Sequence, residues 1–107
     1  MMSFKNVDAA GLVELQKSGQ IRLIDVRTDA EVARGVIPGA IHIPLHLIPV
    51  KMSEMDGNLS TVIYCQSGGR SGQACGFLSA KGWSDLANLQ GGILGWIASG
   101  NPLVQLG

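Results

Sequence analysis

Residues 61–71 read TVIYCQSGGRS. The β-branched run Thr61–Ile63 predicts a buried strand, and a helical pattern begins near Ser71. Between them, a cysteine is followed by small residues and an arginine, so backbone N–H groups are free to turn inward around one point. The helix N-terminus adds partial positive charge at that point. The segment therefore predicts a nucleophilic sulfur, Cys65, in an anion cradle that suits a thiolate, a persulfide or a bound oxyanion.

Outward from this segment, short apolar runs alternate with helical patterns, which predicts an α/β domain with a mostly parallel sheet. Strands are expected at 21–26, 40–43, 61–64 and 86–89. Helices are expected from an Asp8 cap to Ser18-Gly19, from Thr28 or Asp29 to Gly35, at 71–81 and at 93–98. The third of these is expected to turn Ala74, Cys75, Phe77 and Leu78 toward the core. Residues 45–55 predict a short helix and loop interrupted by Pro49, whose apolar side chains belong to the core or rim the site.

Two of the predicted strands end in segments that carry chemistry. Cys65 ends one strand, and Asp25-Val26-Arg27 ends another. In open α/β sheets, functional groups gather at the carboxyl ends of the strands. We therefore expect both segments on the same edge of the sheet.

Composition excludes several classes of function. The 107 residues suit one domain, and eight basic and eight acidic side chains leave no net field for nucleic acid or an anionic membrane. No secretory signal is visible, and no apolar run reaches the roughly 18 residues of a membrane span. Two cysteines, Cys65 and Cys75, cannot form a disulfide framework, so reduced thiols and a cytoplasmic location are expected.

Four segments, in order, resemble the motifs of the rhodanese family. They are Ile24–Arg27 with Glu31, Ile37–Ala40 with Ile43-Pro44, the loop Cys65–Arg70, and Gly91–Trp96. Val36 stands where the family often has histidine, at a position that is not the nucleophile. The resemblance spans most of the chain. It implies a single rhodanese domain over residues 1–107, with a mostly parallel central sheet flanked by helices on both faces.

The resemblance also implies an activity. Rhodaneses are sulfurtransferases that carry a sulfane sulfur as a persulfide on the loop cysteine, here Cys65, and need no cofactor. The sulfur comes from thiosulfate, a persulfide or a protein, and it passes to cyanide in assays or to a thiol or protein acceptor. Related domains with one more loop residue are phosphatases or arsenate reductases, and the short loop Cys65–Arg70 favours sulfur. Other rhodanese-like domains are non-enzymatic binding modules, which usually lack the cysteine.

The residues after the nucleophile form the expected anion cradle. They are Gln66, Ser67, Gly68, Gly69, Arg70 and Ser71. Gly68 and Gly69 are expected to adopt positive φ angles. Arg70 is expected to hold the loop, to meet an anionic donor such as thiosulfate, or to pair with a surface carboxylate. Neutral Gln66 and Ser67 favour a thiol or a protein, rather than a small anion, as the sulfur partner.

Other polar residues are better explained by structural roles. Asp25, Arg27 and Glu31 are expected to support the site, with Asp25 accepting loop amides and Arg27 pairing with Glu31 four residues on. Cys75 is expected to pack in the core rather than act as a resolving thiol. Two histidines, His42 and His46, straddle Pro44, so no metal site is expected. Trp83 and Trp96 are expected to anchor the core.

Overall fold

One sheet of five parallel strands runs through the computed structural model, which describes residues 4–106. The strands are β1 (Lys5–Val7), β2 (Arg22–Asp25), β3 (Ile41–His42), β4 (Thr61–Tyr64) and β5 (Leu86–Leu89). Their order across the sheet is β1-β5-β4-β2-β3, and every neighbouring pair is parallel. The expected α/β class with a parallel sheet is confirmed, and β4 lies at the centre.

Five α-helices accompany these strands in the described part of the chain. They are α1 (Ala9–Ser18), α2 (Asp29–Val32), α3 (Ile48–Lys51), α4 (Gly69–Ala80) and α5 (Gly92–Ala98), with 3-10 turns at Leu45–Leu47 and Met52–Glu54 on either side of α3. Asp8 caps α1 as expected, because its Oδ1 accepts the Gly11 N–H at 2.8 Å. Thr28, rather than Asp29, caps α2 through a capping box with Glu31.

Helices cover both faces of the sheet, as expected. On one face, α1 and α5 bury Leu12, Ile93 and Trp96 against the sheet. On the other face, α3 and α4 bury a second cluster that includes Ile48 and Leu78. Successive residues of β4 point to alternate faces, so Tyr64 faces the first cluster while Ile63 and Cys65 face the second. This alternation places the Cys65 sulfur on the same side of the sheet as α4.

Several expected boundaries were wrong. Strand β1 was missed because Lys5 and Asn6 are exposed on an edge strand, so the sequence lacks an apolar run there. Helix α4 begins at Gly69, two residues before Ser71, and Ser71 is fully buried. Phe77 was expected in the core, but it is 38% exposed. Pro49 does not interrupt a helix, since it lies in the first turn of α3, where a missing N–H costs nothing.

Candidate active site

The sulfur of Cys65 lies where β4 ends and α4 approaches. Its Sγ accepts the Gly68 N–H at 3.1 Å and the Ser71 N–H at 3.4 Å, and the Ser71 hydroxyl also lies at 3.4 Å. Burial by itself would raise the pKa of this thiol. Hydrogen bonds from the Ser71 hydroxyl and from the amides of Ser71, Gly68 and Ser67 outweigh that effect and lower the pKa. The site therefore favours an anionic sulfur.

The loop turns at Gly68, which has a φ of +117° and serves as the N-cap of α4. A residue with a side chain rarely adopts this conformation, so glycine lets the chain reverse and direct its N–H at the sulfur. The expected positive φ at Gly69 is wrong, because Gly69 is already the first residue of the helix. Only one of the two glycines is therefore needed for the turn itself.

Helix α5 holds the same loop from the opposite side. The Ile93 N–H donates to the Cys65 carbonyl at 3.0 Å, and the Leu94 N–H donates to the Gln66 carbonyl at 3.2 Å. Gly92 makes this approach possible, because its φ is +59° and any Cβ there would overlap the loop backbone. With the carbonyls turned toward α5, the loop amides are left to face the sulfur.

Asn88 on β5 belongs to the site, although none of the motifs in the sequence points to it. Its Nδ2 donates to the Gly68 carbonyl at 3.1 Å, and its Oδ1 accepts the Ser71 hydroxyl at 2.6 Å. Because a hydroxyl has one proton, Ser71 donates either to Asn88 or to the sulfur at any moment. One sequence signal could have identified it. Asn88 interrupts the apolar strand LANL, and a polar residue in a buried strand usually has a specific hydrogen-bond partner.

Arg70 does not point freely into the site, because it forms a two-pronged ion pair with Glu31 on α2. Its Nη1 and Nη2 donate to the two carboxylate oxygens at 2.7 and 2.8 Å. The backbone N–H and hydroxyl of Thr28 bind the same carboxylate. Hydrogen bonds from Arg70 lower the pKa of Glu31 to about 2, so the carboxylate is ionised at neutral pH.

The expected ion pair between Arg27 and Glu31 is wrong, because Arg27 reaches the backbone carbonyl of Glu31, at 3.5 Å, and not its carboxylate. The Arg27 guanidinium instead binds Asp25, with Nη2 at 2.8 Å from Oδ2 and Nε within 3.1 Å of both carboxylate oxygens. It also donates to the Gly35 carbonyl at 2.7 Å. Asp25 accepts the Arg27 N–H at 2.9 Å, in keeping with the expected capture of a loop amide. Arg27 of this buried pair also lines the groove described next.

A groove of about 720 Å³ runs beside Arg70. Its lining comes from the segment after β2, the segment after β3 and the start of α4: Val26–Ala30, Pro44–Leu47 and Arg70. Leu45 and Leu47 from the apolar run thus line the groove, whereas Ile48 and Met52 belong to the core and Val50 is 66% exposed. Part of that run therefore lines a groove next to Arg70 of the cysteine loop.

Other candidates lie away from the sulfur chemistry. Cys75 is fully buried among apolar residues, and burial raises its pKa to about 12. The Trp96 indole donates to the Pro102 carbonyl at 2.8 Å, while Trp83 is half-buried with the Arg22 guanidinium 5.0 Å from its ring centroid. Across residues 4–106, no group of three or more His, Cys, Asp or Glu side chains could hold a metal ion. Over the same residues, no helix is long and apolar enough to span a bilayer.

Known proteins resemble this chain over nearly its whole length. The model of the rhodanese-like domain matches residues 8–99. A sulfurtransferase of Allochromatium vinosum is 44% identical over 99 residues, which cover 92% of each chain. A thiosulfate sulfurtransferase, GlpE of Pseudomonas putida, is 29% identical and covers 92% of this chain and 90% of its own. The crystal structure of a rhodanese-related protein from Thermoplasma volcanium superposes with a TM-score of 0.87 at 31% identity, covering 96% of this chain and all of that one.

Proposed function

This chain belongs to the rhodanese-like domain family, and we propose that it is a sulfurtransferase that carries a sulfane sulfur as a persulfide on Cys65. The observation that carries the proposal is the convergence of the Gly68 and Ser71 N–H groups on Sγ. These donors stabilise a thiolate, and they can also donate to a persulfide anion carried on the same cysteine. Both cysteines are free thiols, which supports a reducing, cytoplasmic setting.

The reaction has two half-steps. In the first, the Cys65 thiolate attacks the outer sulfur of a donor, a new S–S bond forms, and the donor's remaining part leaves with the electron pair of the broken bond. In the second, an acceptor thiolate or cyanide attacks the outer sulfur of the persulfide and Cys65 leaves as a thiolate. Stabilising this thiolate makes it a better leaving group, so the amides assist the second half-step.

Transfer of a phosphoryl or arsenate group is less well supported. A tetrahedral dianion needs several donors and a cation around it. Arg70 is the guanidinium of the cradle, and it is bound to Glu31 rather than free to hold such an anion. The amides of the short loop lie close to the sulfur itself, which leaves little room for a tetrahedral group between them. The presence of Cys65 likewise argues against a purely non-enzymatic binding module.

The test is the mass of the intact protein after incubation with a sulfane donor. Wild type is expected to gain one sulfur atom, and adding cyanide or a thiol is expected to remove it. Cys65→Ser is expected to gain none while its circular dichroism and urea midpoint stay close to wild type.

Cys75→Ala provides the matched control, because it removes the other cysteine of the chain. It is expected to load like wild type, since Cys75 is buried with a raised pKa. If wild type gained no sulfur from thiosulfate, a thiosulfonate or an organic persulfide, the proposed function would be refuted. Loading of Cys65→Ser at the wild-type level would refute the assignment of Cys65.

A further inference from the structure

Both guanidinium groups that line the groove beside Arg70, those of Arg70 itself and of Arg27, are paired with a carboxylate. Arg70 binds both oxygens of Glu31, and Arg27 binds both oxygens of Asp25. Asp29 adds an exposed negative charge at the groove wall, with 95% of its side chain accessible. The groove therefore offers no uncompensated guanidinium to an anionic donor.

The Arg70–Glu31 pair is held in place from both sides. Glu31 also serves as the capping-box residue of α2, so Thr28 fixes its carboxylate independently of Arg70. Arg70 lies in the first turn of α4, one residue before Ser71. A bidentate pair of this kind has a defined geometry, so the guanidinium is directed toward α2 rather than toward the donor.

We propose that Glu31 is a specificity-determining residue. Its carboxylate neutralises the charge of Arg70, which weakens the attraction of the guanidinium for dianionic donors such as thiosulfate. Donors of lower negative charge are therefore favoured. The apolar side chains of the groove, Val26, Leu45 and Leu47 among them, suit the organic part of such a donor. This inference rests on the proposed function, because it concerns the donor that loads Cys65.

The test compares how fast two sulfur donors, which differ by one negative charge, load Cys65. Thiosulfate carries two negative charges and leaves as sulfite after the Cys65 thiolate takes its outer sulfur. Methanethiosulfonate carries one and leaves as methanesulfinate. In both reactions the total charge and the number of sulfur atoms balance, with the departing group taking the electron pair of the S–S bond. The measured quantity is the ratio of second-order loading rate constants, thiosulfate over methanethiosulfonate, from intact mass at low ionic strength.

In Glu31→Gln, Arg70 keeps its charge but loses its counter-charge. The ratio is expected to rise about fivefold, the factor that corresponds to ~1 kcal/mol for one additional pair of unit charges a few ångströms apart in a water-like medium. In the double variant Glu31→Gln with Arg70→Gln, both charges are gone and the ratio is expected to return to within about twofold of wild type.

Arg34→Gln is the matched control. Arg34 is an exposed cation in a neighbouring groove with Gln66, so its loss is expected to change the ratio by less than about twofold because solvent screens it.

An unchanged ratio in Glu31→Gln, or equal losses with both donors, would overturn the inference. So would a fall of the ratio in the double variant, because Arg70 would then already bind the dianion in wild type. If Glu31→Gln alone fails to fold, a fall of the ratio in the double variant still overturns the inference. If wild-type Cys65 loads from neither donor nor from an organic persulfide, the proposed function fails instead.

Discussion

Replacing Gly92 with alanine tests how α5 holds the cysteine loop. A Cβ at this position would lie 2.7 Å from the Cys65 carbonyl oxygen and closer still to the carbonyl of Gln66. Both neighbours are backbone atoms, so they cannot give way as the end of a flexible side chain would. Either the loop or the N-terminus of α5 has to move.

The expected cost has two parts. A residue with a Cβ in the left-handed region, at φ +59°, costs ~1–2 kcal/mol. Forcing the new methyl group into packed atoms costs about 1–3 kcal/mol. If α5 moves away instead, the hydrogen bonds from Ile93 and Leu94 to the loop break. Each of these bonds contributes ~0.5–1.5 kcal/mol to stability. By either route, the free energy of unfolding is expected to fall by about 2–5 kcal/mol.

Urea denaturation measures this loss, and Gly19→Ala separates its two parts. Gly19 has a similar φ of +72°, but a Cβ there would meet no atom within 4 Å. Gly19→Ala is therefore expected to cost only the conformational part, ~1–2 kcal/mol. Equal losses in the two variants would refute the steric argument. In folded Gly92→Ala, we also expect iodoacetamide to alkylate Cys65 more slowly, because the displaced amides no longer stabilise the thiolate.

Three further predictions concern individual hydrogen bonds, two of them in the site. Ser71→Ala is expected to raise the pKa of Cys65, because it removes a donor to the sulfur. The pH profile of alkylation should then shift upward, and an unshifted profile would contradict the assigned role of the hydroxyl. The pKa of Glu31 is lowered from 4.5 to about 2, so its ion pair stabilises the fold fully above pH 4.5 and progressively less as the pH falls toward 2. Urea midpoints of wild type and Glu31→Gln should therefore converge over that range, and a constant difference would count against the linkage. Tyr64→Phe is expected to cost about 1–3 kcal/mol in urea denaturation, because the buried Ile37 N–H loses the phenol oxygen that accepts it at 3.1 Å; a loss below ~0.5 kcal/mol would show that the amide finds another partner.

Local features of the fold were predictable because they depend on neighbouring residues. The Asp8 cap and the strand Thr61–Tyr64 were found from their own sequence signals, and both lie where they were expected. Strand β1 was not found, because an edge strand with exposed polar residues owes its structure to pairing with β5. Phe77 was placed in the core on helical periodicity, yet it faces solvent on α4.

The sequence by itself determined the chemistry of the loop: a cysteine at the end of a buried strand, followed by a glycine turn and a helix start. Its partners were decided only by the tertiary structure. Arg70 binds Glu31 across 39 residues, and Ser71 binds Asn88 across 17. The sequence favoured an Arg27–Glu31 pair because residues four apart are neighbours on a helix, but Arg27 precedes α2 and turns to Asp25 instead. The strand order explains the difference, because β4 lies between β5 and β2, so Asn88 and α2 flank the cysteine loop from opposite sides.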